Sequence, residues 1–302
     1  MIQPKNNWRR YNTKYGICIN EICETVIEKY LTPNYQEQIN LIFTSPPFPL
    51  NRAKKYGNLN GEEYKNWLCS VGKSLLPLLT SNGSIVIEIG NAWNSGEPTF
   101  STLPLETLLE FKKRCDLNLC QEFIYYNPAR LPSPIQWVNK ERIRVKDSFT
   151  RLWWLSKTPT PYADNAQVLE QYSKQMEKLL KNKKYNFGAR PSEHNISETA
   201  FLNNNGGAIP SNVIIAANTN STGNYLKKCK EKNIPIHPAR MPIAIPEFFI
   251  KFLTKENDIV LDCFAGSNTT GFCANNLKRN WISIEANKDY YMGSKYRFKR
   301  EK

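Results

Sequence analysis

The 302 residues are 40% hydrophobic and 23% charged, proportions that suit a packed protein and exclude a disordered chain. No apolar run approaches the length of a membrane span and the polar, basic first residues give no secretory signal, so a cytoplasmic protein with no membrane partner is expected. The formal net charge of +14 favours a polyanionic partner, because each lysine or arginine that neutralises a phosphate releases a counterion.

In chain order, a first apolar strand is predicted over 38–44, and it runs directly into Ser45-Pro46-Pro47-Phe48. Residues 62–79 carry apolar side chains at helical spacing and lead to a predicted Ser81-Asn82-Gly83 turn. Strands follow at 84–90, 120–127 and 151–156, the last containing Trp153 and Trp154, which read as core. From 157 to 235 strand signals thin out. Asn203-Asn204-Asn205-Gly206-Gly207 is loop chemistry, and Lys178, Lys181, Lys183 and Lys184 form a basic cluster. This stretch reads as an insertion that divides one domain into parts 1–156 and 236–302. The second part holds a helix at 245–253, a strand at 258–264, a helix at 269–277 and a strand at 280–285. Most strands are rich in Ile, Val, Phe or Trp without strict alternation, as a sheet covered on both faces requires. Strands alternating with helices predict an α/β fold with a doubly wound, mostly parallel sheet. The eight cysteines form no CxxC pair and the only histidines are His194 and His237, so reduced core thiols and no metal site are expected.

Two segments carry chemistry. Prolines lack an amide hydrogen and have a fixed φ, so Pro46 and Pro47 end the first strand in a rigid loop. Open α/β sheets bind ligands just past the carboxyl ends of their strands. An exocyclic amine on a base is a poor nucleophile, because its lone pair is delocalised into the ring. The Ser45 hydroxyl and the carbonyls of Ser45 and Pro46 can accept its hydrogens, and Phe48 can stack on a base turned out of the duplex. The second segment runs Asp262-Cys263-Phe264-Ala265-Gly266-Ser267-Asn268-Thr269. Small residues there let a ligand approach the backbone, and the following helix N-terminus favours an anionic group. The next strand ends in Glu285, at the place where an acidic residue binds ribose hydroxyls in doubly wound folds. The loop is not GxGxxG, which weighs against a nicotinamide cofactor.

Together these residues resemble the amino-methyltransferases of bacterial restriction–modification systems. Ser45-Pro46-Pro47-Phe48 is similar to the catalytic motif of the N4-cytosine branch, whereas the N6-adenine branch usually begins that motif with Asp or Asn. A catalytic motif that precedes the cofactor motif resembles the permuted β class. The resemblance to one subgroup extends through Leu131-Pro132-Ser133-Pro134-Ile135, Trp137-Val138-Asn139-Lys140, Tyr56-Gly57-Asn58-Leu59 and His237-Pro238-Ala239-Arg240.

The resemblance implies S-adenosyl-L-methionine as cofactor, held by Asp262, Phe264, Ala265, Gly266, Ser267, Asn268, Thr269 and Glu285, with His237 and Pro238 beside its methionine end. It further implies that Ser45, Pro46, Pro47 and Phe48 form the active-site loop. Glu88 stands where that subgroup has an aspartate that helps Ser45 remove a proton. Asn20 replaces the aspartate of a Gly-Asp pair that contacts adenine, and Asn268 stands where the commoner cofactor pattern has glycine.

Lys140, Arg142, Arg144 and Lys146 alternate along the chain, a pattern that reads either as a solvated basic face or as phosphate contacts. The prolines just upstream mark a loop and favour the second reading. Within the insertion, the resemblance gives Arg190 and His194 a part in target recognition. The function expected is therefore N4 methylation of a flipped cytosine in duplex DNA by a monomer associated with the nucleoid, with a cognate endonuclease as a genetic rather than physical partner. That subgroup makes CAGCTG a candidate site. The alternatives are an N6-adenine enzyme and a non-catalytic DNA-binding relative. A C5-cytosine enzyme would need a Pro-Cys loop, and the chain has no Pro-Cys dipeptide.

Overall fold

The computed structural model describes all residues except 1, 5, 49–58, 60, 184–186, 190, 192–193, 198–200, 219–222 and 299–302. A hairpin of β1 (Arg9–Asn12) and β2 (Gly16–Asn20) opens the chain. A helical stretch follows, in which α1 (Cys23–Val26) passes through a π-helical turn into α2 (Thr32–Asn34). Then come β3 (Ile39–Thr44), α3 (Gly61–Leu75), β4 (Leu79–Gly90), α4 (Leu103–Arg114), β5 (Asn118–Tyr126) and β6 (Phe149–Ser156). The chain closes with β9 (Val213–Ile215), α6 (Asn224–Glu231), α7 (Ala244–Leu253), β10 (Ile259–Asp262), α8 (Thr269–Asn276), β11 (Asn280–Ile284) and α9 (Lys288–Ser294). Among the described residues no helix is long and apolar enough to cross a membrane.

Two compact units result. Residues 1–163 and 212–302 form one, and Asp164–Ser211 the other. The first is built on a nine-stranded sheet of order β1-β2-β11-β10-β3-β4-β6-β5-β9. Its five central strands, β2, β11, β10, β3 and β4, run parallel. β6 pairs antiparallel with both β4 and β5. Alternate residues of the central strands feed two separate cores. Ile42, Leu261 and Ile282 pack with Leu68 of α3 and Phe111 of α4. Leu41, Phe43, Val260 and Trp281 pack with Phe249 and Leu253 of α7. Both faces are therefore dry, which is why these strands read as unbroken apolar runs. Trp153 and Trp154 are core residues of β6, and the free cysteines are buried except Cys120, which is half-buried.

One expectation changes. Ser81-Asn82-Gly83 does not end a helix before a strand; it lies inside β4. Ile39 pairs with Leu79 and Leu41 with Ser84, so the extra residues bulge between two pairings of β3. Turn chemistry thus makes an irregularity within a strand. The edge strands β1 and β9 gave no clear pattern, because their burial is partial. The compact unit Asp164–Ser211 lies within the 157–235 stretch, and β9 and α6 belong to the sheet unit.

The Asp164–Ser211 unit contains α5 (Lys174–Asn182), whose first turn is capped by the Ser173 hydroxyl accepting from the Met176 amide at 3.2 Å. β7 (Gly188–Ala189) pairs with β8 (Asn195–Ile196). Among its described residues no hydrophobic side chain is buried.

Candidate active site

The strand order reverses beside β10: the chain enters β11 on one side of it and β3 lies on the other. The carboxyl ends of β3, β4, β10 and β11 therefore open onto one crevice, where such folds bind ligands. A cavity of about 540 Å³ lies there, within the ordinary range for a cofactor site.

The β10 side is shaped by backbone amides on carboxylates. Asp262 Oδ1 accepts from the Phe264 amide at 3.1 Å, which curls the chain into the loop. The two oxygens of Glu285 accept from the amides of Gly266 (2.6 Å) and Asn287 (2.8 Å), locking the carboxylate against the cavity. Gly266 has φ +52, and a Cβ there would lie 3.0 Å from His237 Nε2, so the turn needs glycine for both conformation and space. Asn268, also left-handed at φ 55, caps α8 by accepting from the Gly271 amide at 3.1 Å and donates to the Tyr11 hydroxyl at 2.9 Å. Its side chain is fully buried in this capping role and does not line the cavity. Asn20 does not line it either. Its amide donates to the carbonyls of Glu285 (2.8 Å) and Ala286 (3.1 Å), stitching β2 to the end of β11.

On the β3 side, Ser45, Pro46, Pro47 and Phe48 all line the cavity. Phe48 lies against Gly90, where a Cβ would come within 2.4 Å of the ring. Glu88 lies in β4, buried, and Oε1 accepts from the Thr150 hydroxyl of β6 at 3.0 Å. Burial raises the Glu88 pKa above the usual carboxylate range, and hydrogen bonds from Ser45 and Thr150 offset this only in part. Beyond the pairing of β3 with β10, a side-chain bond ties the two sides at the crevice: the Thr44 hydroxyl, next to Ser45, donates to Asp262 Oδ1 at 3.0 Å.

The electrostatics have one sign. Glu24, Glu88, Asp262 and Glu285 line the cavity, and no lysine or arginine does so among the described residues. Burial pushes Asp262 up to about 6 and Glu285 to about 7. Glu24 stays below its ordinary value: burial raises it, but bonds from its own amide, the Cys23 thiol and the Trp67 indole outweigh that. The His237 imidazole, packed edge-on to Tyr290 at 4.5 Å, is held down to about 4 by burial and is neutral near pH 7. Such a cavity suits a cationic ligand with hydroxyls to donate and an apolar body. Phe264, Trp67, Ile22 and Tyr290 supply the apolar wall, and Phe264 and Trp67 pack at 5.4 Å.

The expected residues Ser45, Pro46, Pro47, Phe48, Glu88, Asp262, Phe264, Ala265, Gly266, Ser267, Thr269, Glu285 and His237 thus converge. Pro238 does not line the cavity, although Ala239 and Met241 do. Ile22, Glu24, Trp67 and Tyr290 also line the cavity and escaped the sequence reading, since no local motif marks them.

Of the alternating basic residues, Lys140, Arg142 and Arg144 are exposed and Lys146 is half-buried. Arg144 donates to the carbonyls of Pro98 (2.9 Å) and Ile143 (2.7 Å), and Lys146 to that of Pro128 (2.9 Å), so these two brace their own loop. His194 is exposed in the Asp164–Ser211 unit, and Arg190 lies outside the described residues.

A family profile described as DNA methylase, of the N6 and N4 type, matches residues 39–295. The chain is 44% identical over 264 residues to the type II methyltransferase M.PvuII of Proteus hauseri, covering 87% of this chain and 78% of that protein. A solved PvuII DNA methyltransferase, described as cytosine-N4-specific, superposes with a TM-score of 0.78 at 36% identity, over 98% of this chain and 91% of that one. The structure of an M1.HpyAVI–SAM complex matches with a TM-score of 0.55 at 22% identity, over 94% of this chain and 98% of that one, a likeness of fold alone.

Proposed function

The chain belongs to the N6/N4 family of DNA methylases, and from that premise we propose that it methylates the N4 amine of a cytosine extruded from duplex DNA, using S-adenosyl-L-methionine. The observation that carries this reading is the Ser45 hydroxyl against the buried Glu88 carboxylate, across one acidic cavity from the loop that Asp262 and Glu285 shape. The relationship to M.PvuII supports the N4 branch and makes CAGCTG the candidate site.

When bound, S-adenosyl-L-methionine supplies an electrophilic methyl group on a cationic sulfur. Glu285 would accept its ribose hydroxyls with the lone pairs left by Gly266 and Asn287, while Asp262, Glu88 and Glu24 would favour the positive charge. Phe48, held on Gly90, stacks against the extruded base. The Ser45 hydroxyl and the Ser45 and Pro46 carbonyls accept the amine hydrogens, which directs the nitrogen lone pair at the methyl group. As the nitrogen becomes cationic it sheds a proton through Ser45 toward Glu88, whose raised pKa makes it a stronger base than a solvated carboxylate. Lys140 and Arg142 contact backbone phosphates. His194 and Arg190, in the 157–235 stretch, take part in target recognition. The enzyme acts as a monomer in the cytoplasm, on nucleoid DNA.

Tritium from labelled cofactor is expected to enter duplex DNA as N4-methylcytosine. Ser45→Ala and Glu285→Ala should each lower the rate by about 10²-fold or more. Recovery of N6-methyladenine would transfer the chain to the adenine branch.

A further inference from the structure

The segment between β5 and β6 exposes aliphatic side chains without being loose. Leu131 is 81% exposed, Ile135 61%, Ile143 52% and Val145 86%. The backbone beneath them is pinned at several points. The Asp147 amide donates to the Ser133 carbonyl at 2.9 Å, and those of Ile143 and Arg144 donate to Trp137 at 3.0 and 3.2 Å. At the root, Asn91 donates to Asp147 Oδ1 at 2.8 Å and to the Phe149 carbonyl at 3.2 Å. Asn91 directly follows β4, the strand that carries Glu88 and seats Phe48. The loop is thus a rigid arm rising from the edge of the catalytic crevice.

Four exposed aliphatic side chains concentrated in one pinned loop, two of them more than 80% exposed, offer an interaction surface. The charges on the same arm indicate which kind. Lys140 and Arg142 lie beside Ile143 and Val145 with Glu141 between them, while Arg144 and Lys146 are bonded to carbonyls and Asp147 to Asn91. Basic groups beside apolar tips suit a ligand that is anionic outside and apolar within, which describes a duplex whose stack has been opened. A base removed from the stack leaves apolar ring faces bare, and filling that gap with aliphatic groups avoids wetting them.

We infer that this arm enters the duplex, with Leu131 and Val145 occupying the space vacated by the extruded base while Lys140 and Arg142 hold the flanking phosphates. The inference rests on the reading of the substrate as a flipped base in DNA. It adds an element outside the catalytic and cofactor residues, one that sustains extrusion and takes no part in methyl transfer.

The test compares two short CAGCTG duplexes, one fully paired and one with the target cytosine opposite an abasic position, so that extrusion no longer breaks a pair. Anisotropy measures affinity for each in the presence of S-adenosylhomocysteine. The double variant Leu131→Ser with Val145→Ser is expected to lose about tenfold or more in affinity for the paired duplex and to stay within about twofold on the unpaired one. Leu131→Met with Val145→Ile should restore the paired affinity. Equal losses on both duplexes, or no loss on either, would overturn the inference. So would unchanged DNA binding together with loss of self-association in sedimentation, which would assign the patch to a second copy of the chain. A wild-type protein that binds neither duplex fails the underlying reading instead, a result distinct from any pattern among the variants.

Discussion

The two sides of the crevice are built by different means. On the β10–β11 side backbone amides dominate: Glu285 is fixed by those of Gly266 and Asn287, and Asp262 by that of Phe264 together with the Thr44 and Thr270 hydroxyls. On the β3–β4 side the carboxylate of Glu88 is held by side chains, the hydroxyls of Thr150 and Ser45. A site made by the backbone depends on conformation, so what it requires is a glycine, a left-handed turn and a helix start in fixed order. A site made by side chains depends on partners that the fold brings in from other strands.

Substitutions can break this contrast or sharpen it, beginning with the largest expected effect. Gly266→Ala places a Cβ at positive φ and against the His237 ring, a strain of about 1–3 kcal/mol. Because the Glu285 bond to the Gly266 amide moves with it, cofactor affinity measured by calorimetry should fall by about tenfold to a hundredfold. An unaffected affinity would mean that the backbone does not set the cofactor side.

Thr150→Val tests the other side. The Thr150 hydroxyl favours the charged form of Glu88, so its loss raises that pKa further. The acid limb of the kcat profile should move to higher pH, with a loss of activity that is regained in more alkaline buffer. A uniform loss at every pH would make Thr150 a packing residue only.

Glu285→Gln is read in stability. The folded pKa of Glu285, about 7, lies above its ordinary 4.5, so on raising the pH the unfolded chain releases this proton first. The contribution is complete below about 4.5 and drains away as pH climbs to about 7. Asp262 acts in the same sense, between 3.8 and about 6. His237 acts in the opposite sense: its folded pKa is lowered from 6.5 to about 4, so stability is gained across that interval. Comparing thermal midpoints of cofactor-free wild type and variant isolates Glu285. Its removal should flatten the fall between pH 4.5 and 7, and parallel curves would show that the carboxylate is not strained.

The smallest effect is expected for Asn20→Ala. It deletes two bonds to the carbonyls of Glu285 and Ala286, each worth about 1 kcal/mol. Cofactor affinity should fall a few-fold. A loss of more than about a hundredfold would reveal direct contact with the nucleoside.

The same contrast explains what the sequence displayed. Asp262 to Thr269 is contiguous because each residue serves the backbone turn that follows it, and the alternating-face burial of β3, β10 and β11 left unbroken apolar runs. Asn268 was legible as important but not as a helix cap, because a left-handed asparagine and a ligand contact look alike in one dimension. Thr150 and Trp67 carried no local signal. Thr150 matters only because β6 pairs antiparallel with β4, and Trp67 only because it packs on Phe264. Lys140, Arg142, Arg144 and Lys146 read alike in one dimension; that the Arg144 and Lys146 head groups also bond to carbonyls of nearby segments depends on the fold.

The bond between Thr44 and Asp262 joins residues 218 positions apart, and β10 sits directly between β11 and β3. During synthesis β3 leaves the ribosome early and pairs with β4 on one flank only. Its other flank stays an open row of amides and carbonyls until the last part of the chain emerges to fill the slot. A strand waiting with a bare edge is a template for the wrong partner. The strand order thus also sets an interval in synthesis during which one flank of β3 has no partner within its own sheet.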